Sequence, residues 1–350
     1  MSLEGKTIGG KYRILGQVGV GGMAMVYRGE HIYLKKPVAI KVMLPSFSEN
    51  PELVQRFLQE AEMASKLDHP NIVKIFDFGD EEGLLYLVMQ FVDGETLERI
   101  LKHRGKLSLK EALNITLQVL SALHYAHEKG LVHRDIKPGN VMINREGKAY
   151  LLDFGIAVLG EIGSSTGTKV AVGTPEYMAP EQFRGRADKR SDLYSVGVML
   201  YEMLTGKTPF QDAKDIYELQ HKILRDPVPP TGISPEIDTI LEKALSKLPS
   251  QRFQSAKEFA DALLSLEEAK DLQYNMRTKT NVSIPVENVE KSTEENNVGM
   301  RKITQFVELP EEEEFEIEDR GFPWKILVIL ALGLIILAGS LVILWYFFYR

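Results

Sequence analysis

Eight consecutive residues, His133-Arg134-Asp135-Ile136-Lys137-Pro138-Gly139-Asn140, form a polar stretch bounded on both sides by apolar patterns. Ahead of it, Leu113, Leu117, Leu120, Leu123 and Ala126 recur at helical spacing within residues 109–129. Ser108-x-x-Glu111 supplies the capping box that opens that helix. Behind it, Val141-Met142-Ile143 reads as a short strand. Both flanks must be buried, so the polar residues between them are held in a tight turn. Side chains on a loop over a rigid scaffold are the usual carriers of chemistry.

The chain has 350 residues, 44% of them hydrophobic, enough for one large bilobal domain or two ordinary ones with a sizeable core. A net charge of -7 argues against nucleic-acid binding, which calls for a basic patch or stripe. The excess is local: residues 271–320 carry 13 acidic and 6 basic side chains, which leaves the rest about neutral. Cysteine is absent, which excludes disulfides and thiolate metal sites and fits a reducing compartment. No apolar run of the length of a secretory leader opens the sequence, so none is expected.

Residues 1–10 show no usable pattern. Tyr12, Ile14 and Val18 suggest a strand leading into Gly19-Val20-Gly21-Gly22-Met23-Ala24-Met25-Val26, which by itself is only a glycine turn between strands. Val38-Ala39-Ile40-Lys41 is an apolar strand ending in a cation, and a Lys held in a cleft needs a carboxylate partner. The next helix offers one. Asn50 can cap it, Pro51 suits its first turn, and Leu53, Val54, Phe57, Leu58, Ala61, Ala64 and Leu67 recur at helical spacing. Glu60 and Glu62 both lie in this helix about 200° apart, so only one can face a cleft. Strands are expected at 72–78 and 84–89, followed by Gln90-Phe91-Val92. Past the polar turn, a strand at 149–152 ends in Asp153-Phe154-Gly155, and a Gly, Ser and Thr-rich segment precedes Gly173-Thr174-Pro175 and Ala179-Pro180-Glu181. Asp192 opens a buried helix that Gly206 closes, and helical patterns at 216–224, 237–246 and 256–266 finish the domain near residue 270.

In order and spacing these motifs resemble those of the eukaryotic-like (Hanks-type) serine/threonine protein kinases, the membrane-anchored bacterial receptor type in particular, over about residues 10–270. The resemblance implies an α+β bilobal fold. Residues 1–10 are a tail, 11–89 a small antiparallel sheet lobe with one helix, 90–92 the hinge, and 93–270 a larger, mainly helical lobe. It implies ATP with Mg2+, or Mn2+ in its place, and transfer of the γ-phosphoryl group to Ser or Thr of protein substrates. On that template Asp135 takes the hydroxyl proton, Lys137 neutralises γ-phosphate charge, Asn140 and Asp153 hold metal, and Lys41, paired with Glu60, holds the α and β phosphates. ATP contacts are carried over to Val18, Gly19, Val20, Gly21, Gly22, Met23, Ala24, Met25, Val26, Ala39, Lys41, Met89, Gln90, Val92 and Met142. Ala24 stands where the family pattern has a third glycine. Met89 is the gatekeeper by resemblance and an ordinary core methionine on its own terms.

The resemblance also makes the segment between Gly155 and Ala179 an activation loop, with Thr166 and Thr168 as its phosphorylated residues and Arg134 as the cation that a phosphate would meet. Thr174 lies on the acceptor side. Glu181 is expected to pair with Arg252, and Asp192 to hold the backbone of the polar turn. A membrane-tethered pseudokinase scaffold is the competing function, which intact Lys41, Asp135, Asn140 and Asp153 weigh against. A homodimer is compatible with the family, although no interface is legible.

From residue 271 to 323 the apolar periodicity vanishes and Asn, Thr, Lys and Glu dominate, so this acidic juxtamembrane stretch is expected to be a disordered linker. It is either a passive spacer or a target of the chain's own kinase. Residues 326–349 contain no charge and at about 1.5 Å per residue match the roughly 30 Å of a hydrocarbon layer. Trp324 on one side and Trp345, Tyr346 and Tyr349 on the other suit two interfaces. Residues 324–349 therefore read as one transmembrane helix in the cell membrane's lipid bilayer, with the kinase domain cytoplasmic.

Overall fold

The computed structural model describes residues 3–21, 24–44, 50–153 and 174–272, apart from the side chains of Glu52, Arg56 and Glu60. The chain divides into two compact units, 1–283 and 284–350, and every described residue lies in the first. The expected linker beyond 272 and the transmembrane segment lie outside the described residues. Among the described residues no helix is long and apolar enough to cross a membrane.

The small lobe is a six-stranded antiparallel sheet in the order β1-β2-β3-β4-β6-β5. Its strands are β1 (Thr7–Ile8), β2 (Tyr12–Val20), β3 (Ala24–His31), β4 (Lys36–Met43), β5 (Ile75–Glu81) and β6 (Leu84–Gln90). Alternation decides which face is buried: Tyr12 and Ile14 of β2 and Val38, Ile40 and Val42 of β4 enter one apolar cluster. Helix α1 (Pro51–Ser65) covers the other face through Phe57 and Ala61, against Leu85, Leu87 and Met89. Asn50 Oδ1 accepts from the N–H of Leu53 at 3.4 Å, the capping role expected of it.

Two boundaries of the small lobe differ from expectation. Residues 1–10 are not simply a tail, because Leu3 and Ile8 are buried and β1 pairs with Tyr12 and Arg13. Gly9 makes this turn at positive φ, and its N–H donates to Glu81 Oε2 at 2.7 Å. The strand expected from residue 72 starts at Ile75 instead. Ile72 and Val73 are drawn away to the large lobe, where Val73 N–H donates to Leu151 O at 3.1 Å and Ile72 bridges Leu151.

The large lobe adds a second sheet, β7 (Gly94–Thr96), β8 (Val141–Asn144) and β9 (Ala149–Leu151), in that order. Its helices are α2 (Leu97–Arg104), α3 (Leu109–Glu128), α4 (Lys189–Thr205), α5 (Ile216–Arg225), α6 (Pro235–Ala244) and α7 (Ala256–Leu264). Both bonds of the Ser108–Glu111 capping box are present at the start of α3, and α3 and α4 supply most of the central core. Helix α4 begins before Asp192: Asp188 is its N-cap, in a reciprocal box with Ser191, and Gly206 in the left-handed conformation ends it.

The turn between α1 and β5 is tied to α3. Asn71 donates to Gln118 Oε1 and to Ala149 O at 3.0 and 2.8 Å. His69, 3% exposed, stacks on Tyr125 and lies 3.2 Å from Ser121 Oγ. Its Nδ1 accepts from the N–H of Asn71 at 3.1 Å, so protonation would break a bond as well as bury a charge. Burial accordingly pushes the imidazole down from 6.5 to about 4. The unfolded chain then binds the extra proton between those values, and stability from this group, full above about 6.5, is lost as pH falls towards 4. From pH 7 to 5 the loss is about 2 kcal/mol. Urea midpoints at both pH values should show it in the wild type and not in His69→Asn; identical slopes would contradict it.

Candidate active site

The 133–140 turn is built around one buried carboxylate. Asp192, 1% exposed on the first turn of α4, accepts from the backbone N–H of His133 at 2.9 Å and of Arg134 at 2.7 Å. Those two bonds hold Arg134 at φ 68°, a left-handed conformation that a non-glycine residue keeps only when its surroundings impose it. His127 Nε2 donates to the same carboxylate at 2.8 Å from the last turn of α3. His133 completes the brace: its Nδ1 accepts from Asp135 N–H at 3.3 Å, which leaves Nε2–H to donate to Leu152 O at 2.8 Å. Leu152 N–H donates in turn to Asn140 O at 2.9 Å.

Asp135 sits at the centre. The Asn140 side-chain amide donates to its Oδ2 at 2.8 Å and to its backbone O at 2.7 Å, and Lys137 Nζ lies 2.9 Å from the same Oδ2. Across the cleft Lys41 Nζ lies 3.0 Å from Asp153 Oδ1, with 13% of the Lys41 side chain exposed. Sheet register explains how Lys41 gets there. It pairs with Val26 on one side and Leu87 on the other, while Ala39, two residues back on the same face, pairs with Met89. Ala39 and Met142, from opposite lobes, pack against the cluster containing Met89 and Val92, which makes an apolar wall between the lobes.

The hairpin of β2 and β3 closes with Gly21 N–H donating to Ala24 O at 2.8 Å; Val18 and Val20 are exposed, and Ala24 is buried. Gly19 pairs with Val26 and Val20 with Met25, and Gln90 ends β6 with its N–H on Lys74 O at 2.8 Å. Gly22, Met23, Thr166 and Thr168 lie outside the described residues, as does the side chain of Glu60. Glu62, the rival to Glu60 on α1, is exposed and pairs with Lys66 at 2.8 Å.

Thr174, the first described residue after 153, accepts through its backbone O from Tyr177 N–H at 3.2 Å. The Tyr177 hydroxyl donates to Glu202 Oε2 at 2.5 Å; burial first, and then the Glu202 charge, push that phenol well above its ordinary range. Beneath it, Glu181 makes a bidentate pair with Arg252 at 2.7 Å for both bonds.

The residues fit a nucleotide with a divalent ion. The Asn140 NH2 is committed to Asp135, so the atom left for a cation is its hard Oδ1 oxygen, and Asp153 follows the Leu152 that bonds Asn140. Sequence reasoning missed His127 and Gln182. A polar residue at a core-facing position of α3, one turn beyond Leu123, was the available signal for His127. Gln182 bridges Ala179 N–H and Arg134 O, and its sequence carries no such signal.

Residues 12–264 match the protein kinase domain family. The serine/threonine-protein kinase PrkC of Bacillus subtilis (strain 168) is 41% identical over 262 residues, 73% of this chain and 40% of its own length. The serine/threonine-protein kinase PknA of Mycobacterium tuberculosis (strain ATCC 25618 / H37Rv) is 39% identical over 271 residues, 75% of this chain and 62% of its own length. The match thus spans between two fifths and two thirds of these relatives. Among solved structures, the kinase domain of Mycobacterium tuberculosis PknI aligns with a TM-score of 0.60 and 28% identity, covering 75% of this chain and 98% of that one. A domain of this extent, with the loop, the strand lysine and the carboxylates brought together in one cleft, belongs to the protein kinase family, in its bacterial Hanks-type serine/threonine branch.

Proposed function

We propose that the chain is a membrane-anchored serine/threonine protein kinase that uses ATP and magnesium and phosphorylates its own segment between Gly155 and Ala179 at Thr166 and Thr168. The observation that carries the reading is the convergence on one cleft of Asp135, Asn140, Lys137, Lys41 and Asp153. When bound, the nucleotide supplies the phosphoryl group and the divalent ion balances its charge. The chain's residues do the rest. Asp135 accepts the proton of the acceptor hydroxyl, with Asn140 and Lys137 fixing its carboxylate. Asp153 and Asn140 are the metal ligands. Lys41, with Glu60 as its partner, takes the α and β phosphates, and the Ala39, Met89, Val92 and Met142 wall receives the base. Gly173-Thr174-Pro175 and Lys137 favour Ser and Thr acceptors, and 324–349 supplies the anchor.

The test is label transfer from γ-labelled ATP with magnesium by the full chain, with labelled residues located by mass spectrometry. Label on Ser and Thr, Thr166 and Thr168 among them, is expected. Nucleotide binding without label would favour a scaffold, and an active enzyme bare at both threonines would remove them as the switch.

A further inference from the structure

One end of the large lobe carries a basic surface that the cleft does not use. The C-termini of α2 and α4 abut there: Leu107 N–H donates to Met203 O at 2.7 Å, and a β-carbon on Gly206 would come within 2.9 Å of Gly105 O. Lys102, His103 and Arg104 occupy the last turn of α2, Lys106 and Lys207 follow the two capping glycines, and Lys110 opens α3; all six are exposed. Among the described residues only two have carboxylate partners. Arg104 forms a bidentate pair with Glu111, and Lys110 lies 3.4 Å from Asp271. Lys102, His103, Lys106 and Lys207 make no ion pair among the described residues, and Asp212, whose field reaches Lys207, is committed to Lys222 at 2.8 Å. Cations in a last helical turn complement the helix dipole, but Lys106 and Lys207 lie past the caps, so the dipole does not account for the whole group.

The Lys110–Asp271 contact also places the last described residues of the domain beside this surface. Some 50 residues on, the sequence reaches the uncharged 326–349 stretch. We propose that this surface rests on anionic lipid headgroups. The proposal takes the bilayer's presence from the anchor proposed above. Each basic side chain near an anionic leaflet multiplies binding about fivefold, through a field that salt screens within about 10 Å. A chain held only by a linker of that length would otherwise tumble freely, since such linkers span roughly 40 Å on average.

The full chain is mixed with vesicles of neutral phosphatidylcholine, or of the same lipid with one third phosphatidylserine, floated, and its lysines acetylated. Labelling of Lys102, Lys106, Lys110 and Lys207 should fall several-fold with phosphatidylserine at low salt and recover in high salt, while Lys6 and Lys36 of the small lobe stay unchanged. In the Lys102→Glu, Lys106→Glu, Lys207→Glu variant, Lys110 should lose its protection, with kinase activity in detergent unaltered. Equal labelling in the two vesicle types overturns the proposal, and so does equal protection in both. Protection by a soluble RNA without vesicles would reassign the surface to nucleic acid. The anchor is read separately: flotation with neutral vesicles reports it, and flotation only with anionic ones would remove the anchor and keep the patch.

Discussion

Asp135→Asn in the full chain should lower kcat by about 100- to 10,000-fold while leaving nucleotide affinity within a few-fold, because a positioned general base contributes about that much. The substitution keeps the shape of the side chain and removes its ability to take a proton. The surroundings make the result interpretable: Oδ2 already receives the Asn140 amide and Lys137, so the residue is held and the loss is chemical rather than positional. An Asn at 135 exchanges one of those attractions for a weaker one, which is the reason to measure nucleotide binding by calorimetry alongside label transfer. Undiminished transfer would remove Asp135 as the base. A parallel loss of nucleotide binding would mean that the variant had disturbed the cleft instead.

The largest loss of stability is expected at Arg252→Met. No part of the Arg252 side chain is exposed, and it donates to both oxygens of Glu181 and to the backbone O of Ser246, Arg190 and Lys247. Removing one partner of a buried pair strands the other charge, at a cost of about 3–5 kcal/mol. For a domain of this size that lowers Tm by about 10 °C. The double variant Arg252→Met, Glu181→Met should recover part of the loss, since what destabilises is the uncompensated carboxylate. Calorimetry of the four proteins closes the cycle; additive effects would show that Glu181 and Arg252 do not act as a pair.

How much of this was legible in the sequence depended on whether a signal was local. The Ser108 capping box and the apolar period of α3 are complete within one segment, and α3 formed as read. Helix α4 was placed four residues late, because its apolar run begins at Leu193. Its first turn is held by polar partners, Asp188 to Arg190 and Ser191 to Glu181, that no hydrophobic pattern reveals. Helix α2 was not read at all: eight residues with Leu97 and Leu101 as its buried positions give too short a period. Ile72 and Val73 look like the start of a strand, and only the distant Leu151 decides otherwise. In the cleft, the residue types were readable from their order. What order could not supply was the support, the His127–Asp192 and His133–Leu152 bonds joining residues far apart in the chain.

The docking of the His69–Val73 turn onto α3 and β9 has a mechanical consequence. Apart from the Lys41–Asp153 pair and the apolar wall inside the cleft, the small lobe is joined to the large one covalently at Phe91–Val92 and, without covalent bonds, at Asn71 and Val73 behind it. A body fixed at a single point can swivel in any direction, whereas one fixed at two can only turn about the line through them. Swivelling of one lobe on the other out of the arc about that line would have to break the Asn71–Ala149 and Val73–Leu151 bonds, so the two lobes are hung like a door on two pins.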